Sequence, residues 1–258
     1  MTWAGKRQLQ YISGILFIIA IVVFILIYPS LTEKPTCSDG KQNGTETGVD
    51  CGGICFKVCS AEVSEPIVLW SRAFHLTGSI YNLVALVANQ NHSAAVQNAN
   101  YEFKVYNTAN KFIGRRDGST YIPPNKQFAI FESRFDAGQE TVKSVSFDLL
   151  PPLSWVKLEP TLDVLPIETS EITMGTDRDF PTLNALLTNN SIYNLPAFDV
   201  VTILYDVNHN AINASKTHLL KLDSNKNSQL LFTWPEALPA DAVTKDILIQ
   251  INPFTTSF

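Results

Sequence analysis

From Tyr11 to Tyr28 the chain reads YISGILFIIAIVVFILIY, 18 residues without a charge. A helix of that length rises roughly 27 Å, close to the thickness of a bilayer's hydrocarbon. Val and Ile are mediocre helix formers in water, but lipid offers the backbone no partner except itself, so a helix is dictated here. Trp3, Tyr11 and Tyr28 suit the two interfaces, and Pro29 is expected to stop the helix. Lys6 and Arg7 precede the span, while Glu33 and Lys34 cancel after it, so the positive end is expected to stay in the cytoplasm. This divides the chain into a cytoplasmic N-terminus (1–10), a single-pass transmembrane helix (11–28), a linker (29–36) and an extracytoplasmic remainder. A cleaved signal peptide would carry a shorter core ending in small residues, whereas this one runs into Ile-Tyr-Pro-Ser-Leu, and an uncleaved anchor is the expectation. Gly14 faces Ile18 one turn later, so no small-residue dimerisation motif is present.

All 24 acidic residues, and every basic residue but Lys6 and Arg7, follow the span. The remainder is therefore a mildly acidic, soluble body. With 19 basic against 24 acidic residues the chain lacks the surplus needed to neutralise phosphates, which excludes an electrostatic nucleic-acid binder.

The 4 cysteines, Cys37, Cys51, Cys55 and Cys59, all fall in CSDGKQNGTETGVDCGGICFKVC, residues 37–59. A segment this short, rich in Gly, Asp, Asn and Thr, cannot bury a core and needs a staple. Two disulfides are expected from the even count and the outward topology, with three pairings open. Four thiolates on zinc would want paired C-x2-C knuckles, which the spacing lacks. Asp39, Asn43, Glu46 and Asp50 offer hard oxygens to calcium, but their order is not an EF-hand loop, and solvated turn residues are the expectation. The segment resembles a short cysteine module of bacterial surface and secreted proteins, C-x-D-G-x-Q-N-G-x-E-T-x-V-D-C-G-G-x-C-x-x-C, with the last interval one residue longer here. The resemblance implies export and no catalytic activity.

After Ser60 the text turns to short apolar runs punctuated by Asn, Asp, Gly and Pro, the grammar of an all-β body. Tyr101, Phe103 and Val105 alternate with Glu102, Lys104 and Tyr106, as in a strand with one buried face, and Val84 to Ala88 suits a central strand. The body repeats itself. LVALVANQN from Leu83 aligns with TLNALLTNN from Thr182, and KVYNTANKFIG from Lys104 with ILYDVNHNAIN from Ile203, both at an offset of 99. Outside that block Pro66-Ile67 answers to Pro166-Ile167, Ile130-Phe131 to Leu231-Phe232 and Pro152 to Pro253. Two tandem immunoglobulin-like β-sandwich domains, 66–158 and 166–258, are expected. The hairpin centres FKVYN (Phe103–Asn107) and TILYD (Thr202–Asp206) resemble the F-x-L-Y-D sequence of a family of small bacterial β-sandwich domains. That resemblance implies fold and surface location, with the first and third residues in the core and Asp or Asn opening the turn.

Val201 and Ile203 stand where the first copy has Glu102 and Lys104, on the strand's outward face. An apolar outer face needs a cover, either the chain's own first domain or linker or a docked protein partner, which makes Val201 and Ile203 candidate partner-binding residues. No reaction is legible. His75, His92, His209 and His218 form no metal-binding spacing, and nucleophile elbows, phosphate loops and dinucleotide fingerprints are absent. The triplets Asp177-Arg178-Asp179 and Arg115-Arg116-Asp117 read as solvated charge, and the sequons at Asn43, Asn91, Asn189 and Asn213 as turn chemistry. The expectation is a non-enzymatic, membrane-tethered envelope protein without a cofactor. Its partners would be proteins or a cell-surface polymer, and its oligomeric state stays open. The alternative is an accessory subunit of a secretion, pilus or transport assembly.

Overall fold

Alternation in one strand and continuous apolarity in another mean that some sheets here are buried on one face and some on both. The computed structural model, which describes residues 3–32, 37–158 and 165–255, shows which. The chain falls into two compact units, Met1–Cys55 and Phe56–Phe258.

The first unit holds helix α1 (Trp3–Thr32) and most of the cysteine module. None of the span Tyr11–Tyr28 is buried against protein, as suits a helix long and apolar enough to cross a membrane. The helix does not stop at Pro29. A proline lacks one amide hydrogen and crowds the preceding turn, yet Pro29 stands so near the C-terminal end that the helix continues to Thr32. At the other end the Arg7 guanidinium lies 4.6 Å from the centre of the Trp3 ring.

Among its described residues the second unit contains thirteen strands in two copies of one topology. The first copy pairs β1 (Ile67–Thr77), β2 (Ile80–Asn89) and β5 (Lys126–Asp136) in the order β1-β2-β5. Facing it lie β4 (Phe112–Ile122), β3 (Ala94–Asn107) and β6 (Val142–Leu150), order β4-β3-β6, with the short β7 (Trp155–Lys157) also on β3. The second copy repeats this as β8 (Ile167–Met174), β9 (Thr182–Asn189) and β12 (Lys226–Thr233), order β8-β9-β12, facing β11 (Ala211–Leu219), β10 (Phe198–Tyr205) and β13 (Thr244–Gln250), order β11-β10-β13. Leu83, Ala85, Val87, Phe103, Val105 and Phe147 fill the first core; Leu183, Ala185, Leu187, Val200, Leu204 and Phe232 fill the second. The linker residues 159–164 lie outside the described residues.

Details of both copies match. Asn107 Oδ1 accepts the amides of Ala109 and Lys111 at 3.0 and 2.9 Å, and Asp206 Oδ1 accepts those of Asn208 and Asn210, both at 2.8 Å. Each hairpin then turns through a residue with positive φ, Asn110 at 58° and His209 at 58°. The offset of 99 therefore holds for the hairpin, but not for the strands around it. Ile130 lies opposite Ala85, and Leu230 opposite Ala185, so β2 and β5 answer to β9 and β12 at an offset of 100. Leu83 matches Leu183 rather than Thr182, and Ile130 matches Leu230 rather than Leu231. A strand apolar on both faces carries no phase in its hydrophobicity, so a one-residue slip went unmarked.

Val201 and Ile203 are fully buried. The outer face of β1-β2-β5, with Phe74, Val84, Leu86 and Ala129, packs directly on Val201, Ile203, Ala211 and Ala214 of β10 and β11. The copies are thus stacked sheet on sheet into four layers, and Val201 and Ile203 themselves have no exposed surface to offer a separate partner. The module's end also departs from expectation: residues 56–59 belong with the first sandwich. The Val58 amide donates to Trp155 O at 3.0 Å, that of Lys157 to Phe56 O at 2.6 Å, and Val58 packs on the first core.

Two substitutions probe this packing. Ile203→Ala removes a side chain at the central layer and is expected to lower the unfolding free energy by about 2–5 kcal/mol in a denaturant titration; a loss below 1 would mean that the layers barely hold one another. Thr202 occupies the core position of Phe103, is fully exposure-free, and leaves its hydroxyl without a partner. Thr202→Val is expected to raise stability by about 1 kcal/mol in the same titration, and a clear loss would show that the hydroxyl is satisfied in solution.

Candidate functional site

The polar ends of the two stacked sheets leave a groove of about 340 Å³. One wall comes from the first sandwich. Tyr101 on β3 lies across Gly118 of β4, where a Cβ would come within 2.3 Å of the phenol oxygen, so only glycine admits the ring there. This carries the Tyr101 hydroxyl to Glu132 of β5, to which it donates at 2.6 Å. Arg116 Nε stands 3.9 Å from the other Glu132 oxygen, and Tyr121 and Phe131 complete the wall. The triplet Arg115-Arg116-Asp117 lies on β4 with its side chains largely in solvent, as expected, and Arg116 stands beside Glu132 outside the groove lining.

The opposite wall is the continuation of the face that bears Val201 and Ile203. Two residues before Val201 the side chain is Asp199, directly opposite His218 on β11 and Gln250 on β13. Asp199 Oδ1 and His218 Nδ1 are 2.7 Å apart, and Lys216 Nζ is 3.3 Å from Oδ2. In the tautomer protonated at Nδ1, His218 donates to Asp199 and keeps Nε2 as an acceptor. Gln250 Nε2 donates to Ala129 O at 2.9 Å, and Lys216 sits 5.6 Å from the centre of the Phe131 ring, so both walls are tied together across the groove.

Burial first, and the Glu132 hydrogen bond and charge second, hold the Tyr101 phenol well above its ordinary ionisation range; burial and then the Asp199 charge do the same for Tyr121. At the far side of the same junction burial, with Asp246 beside it, pushes Tyr205 up to about 12. A second, smaller groove of about 150 Å³ lies where His75 Nδ1 meets Glu236 Oε2 at 3.0 Å, next to Trp234.

The cysteine module is a separate feature. Cys37 is bonded to Cys55, and Cys51 and Cys59 are disulfide-bonded too, so no thiolate remains for zinc. The carboxylates considered for calcium accept turn amides: Asp50 that of Gly40 at 3.0 Å, Asp39 that of Lys41 at 2.9 Å and Glu46 that of Asn43 at 3.1 Å. Of the sequons, Asn189 is a fully buried knot whose amide donates to Tyr193, Leu222 and Asp223 carbonyls, and Asn89 plays that part in the first copy, bonded by the sequon residue Asn91. Asp177 caps the amides of Asp179 and Phe180. Sequence reasoning did not bring Tyr101, Glu132, Asp199 and His218 together. The only signal was the change from apolar to polar along one face of β10, at Asp199.

No family model and no curated protein matches this chain. Among solved structures it is similar to red sea bream transglutaminase, with 12% identity over 73% of this chain and 31% of that one, at a TM-score of 0.24. It is also similar to a chain from a chaperone–tip adhesin complex of CFA/I fimbriae, with 12% identity over 70% of this chain and 98% of that one, at a TM-score of 0.20. Scores this low carry no argument about the chain.

The three phenols, Tyr101 buried and Tyr121 and Tyr205 half-buried, make the junction sensitive to alkali. Their folded pKa values lie above the unfolded value of 10.0, so the unfolded chain releases these protons first. Their contribution is whole below about pH 10 and is lost as pH rises toward the folded values, about 12 for Tyr205. Phenolate absorbance is expected to show a late-titrating class of tyrosines that shrinks in Tyr101→Phe and Tyr121→Phe; a single transition near 10.0 would contradict the burial.

Proposed function

We propose that this protein is a non-enzymatic, membrane-tethered component of the cell envelope, with α1 as an uncleaved anchor, residues 1–10 in the cytoplasm and the double sandwich displayed outside. The observation that supports it most is the pairing of an apolar helix, none of it buried in protein, with four cysteines that are all oxidised in the segment that follows. Disulfides persist outside the cytoplasm, which agrees with the basic residues on the other side of the span. The resemblances to a bacterial cysteine module and to F-x-L-Y-D sandwiches of immunoglobulin-like shape favour the same compartment. A binding role fits the groove better than a reaction does: both carboxylates are already held by neighbouring donors, Glu132 by Tyr101 and Asp199 by His218 and Lys216.

Protease added to intact cells is expected to remove the sandwiches while a tag fused ahead of Trp3 survives. Protection of the carboxyl-terminal half, or free thiols in freshly purified protein, would overturn the reading.

A further inference from the structure

We infer that the groove between the sandwiches is a binding site for a neutral, polyhydroxylated ligand, a saccharide of one or two rings. The inference rests on the display reading only for where such a ligand would be met. Its volume, about 340 Å³, falls at the lower end of the range of small-molecule pockets, and it lies at a junction of two domains, where such sites concentrate.

The chemistry of the walls selects the ligand class. Each carboxylate has a cation beside it, Arg116 for Glu132 and Lys216 for Asp199, so the groove has no uncompensated charge with which to hold an ion. The same carboxylates have about four lone-pair sites each, more than their neighbours occupy, and remain acceptors for ligand hydroxyls. Among the described residues the Tyr121 and Ser119 hydroxyls line the groove without a hydrogen-bond partner, and His218 Nε2 and Gln250 Oε1 add acceptors. Tyr121 and Phe131, both half-buried, supply the apolar ring surface that the C–H faces of a sugar need. Hydroxyl partners and ring faces in one uncharged groove suit a polyol ring; a phosphate or ammonium ligand would find its counter-charge already engaged. The walls come from both copies, so neither sandwich alone would hold the ligand.

The test uses the full-length protein in lipid nanodiscs, titrated calorimetrically with maltose, cellobiose and N,N′-diacetylchitobiose, and with polysaccharide isolated from the host envelope. Saturable binding of at least one probe is expected, weakened about tenfold or more by Tyr121→Phe, which deletes a hydroxyl, and by Glu132→Gln or Asp199→Asn, which each turn one acceptor oxygen into an NH2 donor and remove the charge that strengthens the other. Glu236→Gln, in the other groove, should leave it unchanged. Binding of the disaccharides assigns free sugar as a source; binding of the polysaccharide alone assigns the envelope glycan. Thermal unfolding checks each variant, and Ser119→Ala replaces any that does not fold. Absence of saturable binding by all four probes, or equal binding by wild type and folded variants, overturns the inference. Because purified protein has no inside or outside, that failure is distinct from a failure of the cell-surface protease test.

Discussion

The central layer contact is what the rest of this body depends on. Phe74, Val84, Leu86 and Ala129 of one sandwich meet Val201, Ile203, Ala211 and Ala214 of the other, and the large members are buried almost completely. Side chains of this size stabilise a fold by about 1.5–3 kcal/mol each when removed from water. Exposed, the two faces would form apolar patches large enough to drive aggregation. Stacked, they turn two ordinary sandwiches into one object with three apolar seams, and they bring Glu132 and Asp199, which belong to different copies, to the walls of one groove.

The contact also explains how two copies of one topology have diverged. The first copy gives its β1-β2-β5 sheet to the junction and the second its β11-β10-β13 sheet, so non-equivalent faces meet. Such a heterologous contact would propagate indefinitely if the outer sheets carried the same faces. They do not. Where the second copy has Val201 and Ile203, the first has Glu102 and Lys104, whose side chains pair at 2.7 Å, with Asp148 3.3 Å from the amine. On β9, the counterpart of the doubly buried β2, Asn184 is exposed and Thr188 half-exposed. At these positions one copy is polar where the other is apolar, although Leu231 and Ile172 on the outer sheet of the second copy stay exposed. Features that serve each sandwich by itself have been kept in both: the buried Asn89 and Asn189 knots, and the hairpins turned by Asn107 and Asp206.

Much of this was legible from residue order. The span at Tyr11–Tyr28, the oxidisable cluster at Cys37–Cys59, the strand periodicity at Tyr101–Val105 and the duplication follow from local rules: solvation of backbone in lipid, the staple a coreless segment needs, and a two-residue side-chain period. The site was not legible. Tyr101 and Glu132 are 31 positions apart, and Asp199 a further 67, with no spacing rule to join them. The same holds for the register error in β2: Leu83 to Ala88 are apolar on both faces, and only the hydrogen-bonded partner reveals which way each side chain points.

The amino-acid sequence by itself determined the composition of each layer: which strands are apolar on both faces, which segment suits lipid, and that Val201 and Ile203 had to be covered. Only the tertiary structure decided what covers them and which charges meet at the rim. Hydrophobic patterning specifies that a face must leave water, but it is non-directional, and the choice between a foreign partner and a neighbouring sheet is made by shape and by the polar residues at the edge of the contact.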